Sequence, residues 1–165
     1  MDLGLKGLRA VVTGGTKGIG RAAADIFAQE GASVAICARN ANEVKAAVKD
    51  LKAKGVNAYG ADVDVADKAA LIHYAQRLAY QHAPKMIRVN AVSPGNTYFD
   101  GGVWQNVEKN LPDLFKHAMS LNPTGRMAKP EEIGRGIVFL ASPASSFTTG
   151  THLVIDGALT RGVQL

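Results

Sequence analysis

Val12-Thr13-Gly14-Gly15-Thr16-Lys17-Gly18-Ile19-Gly20-Arg21 is the stretch that decides how this chain is read. It follows an apolar run, Leu8–Val12, and opens an amphipathic one. Glycine has no Cβ and tolerates positive φ, so Gly14 lets a strand end in a tight turn. Gly18 and Gly20 let backbone approach a pyrophosphate and let the following helix lie close on the strand. That helix points free N–H groups and the positive end of its dipole at the anion. Gly14, Thr16, Lys17, Gly18, Ile19 and Gly20 are therefore candidate cofactor-binding residues. The spacing, Thr-Gly-x-x-x-Gly-x-Gly, differs from the Gly-x-Gly-x-x-Gly form. Alone, such a turn reads equally as a flexible loop. Here a strand before it, a helix after it and a second strand beyond favour a dinucleotide site.

The second strand, Ala32–Cys37, ends in Cys37-Ala38-Arg39-Asn40, without the carboxylate that an unphosphorylated ribose prefers. Arg39 lies nineteen residues after Gly20, close to the spacing of the ribose-reading position. A guanidinium there suits a 2′-phosphate, which it grips bidentately, and Lys17 adds a second cation. The expected cofactor is NADP rather than NAD, with Arg39 and Asn40 beside the ribose. The alternative is that Arg39 stacks on adenine or stands in solvent. Asn40 also reads as a helix cap, with Glu43 three residues on in capping-box style. Val44, Ala47, Val48 and Leu51 form that helix's apolar stripe, and Gly55 ends it. A third strand over about Val56–Ala61 reaches Asp62-Val63. Asp62 could accept from the adenine amino group or cap a turn. The order βαβαβ is the mononucleotide-binding half of a doubly wound parallel sheet, an α/β fold.

Farther along, a helix is expected from about Lys68 to His82, then a strand at Ile87–Val92 closed by Ser93-Pro94-Gly95. Asn96–Met127 reads as irregular with short helices, one broken at Pro112, and so as a binding loop. Pro130 starts a helix whose first turn holds Glu131 and Glu132. Thr151–Ile155 is a last strand.

The chain has 165 residues, 47% hydrophobic, which suggests one domain with a real core. No apolar run reaches the ~18 residues of a spanning helix, and no secretory leader opens the chain. Cys37 is the single cysteine, which fits a reducing cytoplasm. A net charge of +5 is spread over helix faces such as Lys45, Lys49, Lys52 and Lys54, without interleaved aromatics. Nucleic acid is therefore not an expected partner, and the four histidines show no metal-ligand spacing.

Four motifs together resemble the short-chain dehydrogenase/reductase family. They are Thr13-Gly14-x-x-x-Gly18-x-Gly20, Asp62-Val63, Arg88-Val89-Asn90-x-x-x-Pro94-Gly95, and Gly150-x-x-x-x-Val154-x-Asp156-Gly157. The resemblance covers Leu8–Val65 and about Lys68–Gly157. It implies a seven-stranded parallel sheet, NAD(P)(H), hydride exchange with a small carbonyl or alcohol substrate, and a homo-oligomer, tetramer or dimer. It also implies that Val63 touches the cofactor, that Pro94, Gly95 and Thr97 lie against its nicotinamide half, and that Asn96–Met127 is the substrate loop. Tyr98, Phe99, Trp104, Leu111 and Phe115 could line a pocket there, or simply pack.

The chain departs from the family in one large respect. Family members carry Asn-Asn-Ala-Gly on a fourth strand, a catalytic serine on a fifth, and Tyr-x-x-x-Lys on the next helix. None of Tyr59, Tyr74, Tyr80 or Tyr98 has lysine four residues on. Between Asp62 and Ile87 stand 24 residues, enough for one helix. The family topology needs roughly ninety more there. The expected join lies within Asp67–Leu71, and a join just before Lys68 makes Lys68 the catalytic lysine. Otherwise Lys68 is a solvated first-turn residue. Without the fourth and fifth strands, a gap of ~14 Å opens beside the first, and Leu8–Val12 becomes an exposed apolar edge. A protein of these 165 residues alone would lack the acid/base and be inactive. It would then be a nucleotide binder, a scaffold or a defective product.

Overall fold

The computed structural model describes residues 3–62 and 69–161. Among the described residues there are five parallel strands in two sheets, not one. β1 (Arg9–Thr13), β2 (Ser33–Ala38) and β3 (Ala58–Asp62) lie side by side in that order, and β4 (Ala91–Pro94) pairs with β5 (His152–Ile155). Among the described residues β1 is an open edge, as the missing fourth and fifth strands require.

The helices are α1 (Gly18–Gln29), α2 (Ala41–Ala53), α3 (Ala69–His82), α4 (Val103–Asn110), α5 (Pro112–Leu121) and α6 (Pro130–Ala141). The chain breaks between α4 and α5 at Pro112, which starts α5 because its missing N–H is not needed there. Gly31 and Gly55, both at positive φ, end α1 and α2.

α1 and α2 cover one face of the first sheet. Val12, Val34, Ile36 and Ala58 point into a core shared with Phe27, Val44 and Leu51. The opposite face is bare: Val11, Ala35 and Tyr59 are in register across the three strands, and Val11 is 79% and Tyr59 72% exposed. A doubly wound sheet carries helices on both faces; among the described residues this one is covered on one.

α6 bridges the two sheets. Its Gly134 lies so close to α1 that a Cβ would stand 3.1 Å from the Ala23 nitrogen, and the facing residues Ala22 and Ala23 are small and buried. Its Gly136 lies on β5, where a Cβ would come 2.2 Å from Ile155 Cδ1. Lys129 N–H donates to Glu132 Oε2 (2.8 Å), closing the helix start.

Two local expectations change. The strand expected at Ile87–Val92 begins only at Ala91. Side chains hold the approach instead of a ladder: Arg88 donates to the carbonyls of Leu140, Ala141, Ser142 and Thr148, and Asn90 to Thr148 O. The capping box at Asn40 is half formed. Asn40 Oδ1 accepts from the N–H groups of Asn42 (3.0 Å) and Glu43 (3.2 Å), but the Glu43 carboxylate turns away from the cap. The third strand also begins two residues later than its pattern suggests, at Ala58.

Candidate functional site

The Gly14–Gly20 turn has the backbone that an anion cradle needs. Gly14 and Gly18 adopt positive φ, +66° and +56°. A Cβ on Gly20 would stand 2.3 Å from the Gly14 carbonyl oxygen, so no larger residue fits between turn and helix. The N–H groups of Gly14 and Gly15 donate to Cys37 O, tying the turn to the end of β2. α1 then begins with no side-chain cap and no acid in its first turn. Ile19 and Gly20 occupy that turn. An uncapped helix start without a carboxylate leaves the positive pole for an external anion.

The other candidates of this half gather at the same strand ends. Arg39 follows β2 directly; it is exposed and has no hydrogen bond or ion pair among the described residues. Asp62 closes β3 beside Ala38 and is exposed. Asn40 is engaged as the cap of α2. Lys17 and Thr16 both meet Glu43, with Lys17 Nζ 2.8 Å from Oε1 and Thr16 Oγ1 3.4 Å from Oε2. Glu43 escapes a reading of local pattern because its partners lie 26 and 27 residues away.

The second half of the site follows β4. Gly95 N–H donates to Ile155 O (2.9 Å), and a Cβ on Gly95 would meet Asp156 Cα at 2.6 Å. Thr97 is buried and its hydroxyl donates to Gly95 O (3.0 Å), so it braces the turn after Pro94 from within. Beside it opens a cleft of about 390 Å³, lined by residues including Pro94, Gly95, Asn96, His152, Val154 and Asp156. His152 Nε2 and Ser93 Oγ are 2.7 Å apart at its wall. Hydrogen bonds from Thr160 and Ala158 hold the Asp156 carboxyl below its ordinary range.

Phe99 joins the two halves. Its ring sits where a Cβ on Gly18 would be, 2.7 Å from Cζ, so the segment after β4 reaches the mouth of the phosphate turn. Phe115 makes edge contacts with Tyr98 and Trp104 at centroid distances of 6.2 and 6.4 Å, holding that segment together. Leu111 is exposed. Tyr98 is no poised acid/base: its hydroxyl donates to Glu108, which pushes its pKa up rather than down. Val63 and Lys68 lie outside the described residues, as does Asp67, the first residue of the expected join.

Comparison with known proteins agrees with this geometry. A family profile described as short chain dehydrogenase matches residues 9–69, and one described as enoyl-(acyl carrier protein) reductase matches 65–160. Isoepoxydon dehydrogenase of Aspergillus clavatus is 39% identical over 97 residues, which are 59% of this chain and 38% of that protein. The NADH-dependent L-xylulose reductase of Ambrosiozyma monospora is 39% identical over 94 residues, 56% of this chain and 34% of that one. The matched parts thus span under two-fifths of these relatives. The L-sorbose reductase of Gluconobacter frateurii, solved with NADPH and L-sorbose, superposes with a TM-score of 0.85. It is 22% identical, with 99% of this chain and 100% of that one covered, and speaks for the fold. With the glycine turn, the Asn90-to-Gly95 run and Asp156-Gly157 all in place, the chain belongs to the short-chain dehydrogenase/reductase family.

Proposed function

We propose that this chain carries the cofactor half of an NADP(H)-dependent oxidoreductase, exchanging hydride with a small carbonyl or alcohol substrate. The observation that carries the proposal is the cradle itself. Gly20 admits no Cβ against Gly14, and α1 starts without a side-chain cap and with no acid in its own first turn. Arg39, unpartnered among the described residues, and the NADPH in the L-sorbose reductase structure favour the phosphorylated cofactor.

In this reading Gly14, Thr16, Gly18, Ile19 and Gly20 hold the pyrophosphate, Arg39 and Lys17 the 2′-phosphate, and Asn40, Asp62 and Val63 the adenosine. Pro94, Gly95 and the turn braced by Thr97 position the nicotinamide half. NADPH bound there supplies the hydride. The chain's own part is to fix the cofactor, exclude water with the segment after β4, and orient a substrate over the cleft. Lys68 is the candidate catalytic lysine.

The serine and the tyrosine acid/base belong to a segment, absent from these residues, that would enter within Asp67–Leu71. The bare face at Val11 and Tyr59 is where its elements would pack, and the two family profiles overlap over 65–69, partly within the expected join at 67–71. The intact mass of the protein from its native source tests this. We expect roughly 10 kDa above 17.3 kDa, NADPH oxidation with L-sorbose or L-xylulose among a carbonyl panel, and a cytoplasmic homo-oligomer. A mass of 17.3 kDa assigns the second reading, a relative that binds nucleotide without turnover. That no tyrosine of the 165 residues has lysine four residues on favours that reading for these residues by themselves.

A further inference from the structure

Glu43 is the one carboxylate that reaches the phosphate turn among the described residues, and it does so instead of completing the cap of its own helix. Asn40 satisfies the first N–H groups of α2 and so orients the helix's first turn. From there Glu43 spans to the turn, with Oε1 on Lys17 Nζ (2.8 Å) and Oε2 near Thr16 Oγ1 (3.4 Å). Two cations thus stand near the ribose-reading position, but only Arg39 is unpaired among the described residues.

A 2′-phosphate brings a charge of about −1.5 to −2 to the same place. It must displace Glu43 from Lys17 or share that cation with it, beside a like charge. The Lys17 and Glu43 side chains are 65% and 33% exposed, so water weakens their pairing and makes the displacement feasible. Exposed pairs of this kind shift an equilibrium by at most about fivefold. NAD has no group to contest the pair.

Resting on the dinucleotide reading above, we propose that Glu43 is a cofactor-specificity residue. Its carboxylate neutralises Lys17 and holds down the preference for NADP(H) over NAD(H) that Arg39 creates. The occurrence of both an NADH-dependent relative and an NADPH-bound structural neighbour shows that this preference differs among similar proteins.

Calorimetric titration of the full chain with NADP⁺ and with NAD⁺ tests it. Glu43→Gln keeps the side chain's shape and an oxygen for Thr16 while removing the charge. We expect it to tighten NADP⁺ about fivefold and to leave NAD⁺ within about twofold. Lys17→Met should then weaken NADP⁺ more when combined with Glu43→Gln than when made in the parent chain, because only in the combination is the cation it removes unpaired. An unchanged ratio of NADP⁺ to NAD⁺ affinity in Glu43→Gln overturns the proposal. So does equal weakening of both, which would make Glu43 a brace of the turn; the urea midpoint of each variant separates that from unfolding. If the parent binds neither nucleotide, the dinucleotide reading falls, and this proposal with it.

Discussion

The two sheets of this molecule have the same strand direction and nearly the same strand lengths, yet only one has a core. Val34 and Ile36 in the first sheet are 1% and 2% exposed, whereas no residue of β4 or β5 is buried. The first sheet has α1 and α2 lying flat on one face, while the second leans on α6 and on the side chains of Arg88 and Asn90. The lesson is that the glycine cradle is a local property of β1, its turn and α1, and keeps its geometry in a half-built sheet. The chemistry of this family is not local. It needs strands and a helix that stand between the two halves, and these residues do not supply them.

The largest expected effect breaks the intact half. Gly20→Ala puts a Cβ into the Gly14 carbonyl, a backbone atom that cannot step aside. NADPH affinity should fall at least about a hundredfold, equivalent to roughly 2.7 kcal/mol, in a fluorescence titration. Retained affinity would mean that the phosphates bind elsewhere.

The next effect breaks the weaker half. Arg88→Ala removes a guanidinium from the carbonyls of Leu140, Ala141, Ser142 and Thr148. We expect a loss of about 3 kcal/mol in urea unfolding. If the halves unfold separately, that loss should appear in one transition and spare the other. Gly134→Leu attacks the bridge, since it forces α6 away from Ala23, and should cost about 2 kcal/mol by overpacking.

These targets differ in how far the sequence revealed them. The turn, the break at Pro112 and the end of α2 were legible because glycine and proline act on their own backbone. The split of the sheet was legible too, since 24 residues cannot hold five elements. The start of β4 was not, because Arg88 and Asn90 replace ladder bonds with bonds to residues more than fifty positions away. The failed capping box has the same origin, a distant partner for Glu43. Phe99 was legible as an aromatic in a binding loop, but its seat on Gly18 depends on how the halves dock.

A smaller effect concerns acid. Arg126 and the Lys129 N–H draw the Glu132 carboxyl from 4.5 to about 2 at the start of α6. Its folded value is depressed, so its contribution is present above pH 4.5 and lost as pH falls toward 2. Arg126→Met should flatten the acid limb of a stability profile over that window; an unchanged limb would remove this pair from the account.

The smallest effect sharpens the comparison most. Val11→Thr on the bare face should change the stability of the chain of these residues alone by no more than about 0.5 kcal/mol. In a longer protein whose further elements cover that face, the same change should cost about 1.5 kcal/mol or more.

The central claim is that these residues hold the cofactor and lack the acid/base. Titrating the 165-residue chain with NADPH, then adding L-sorbose at saturation while following absorbance at the nicotinamide band, tests both parts at once. The account predicts saturable binding, displaced better by 2′,5′-ADP than by 5′-AMP, and no oxidation. A folded chain that leaves NADPH free, or one that oxidises it unaided, would contradict it.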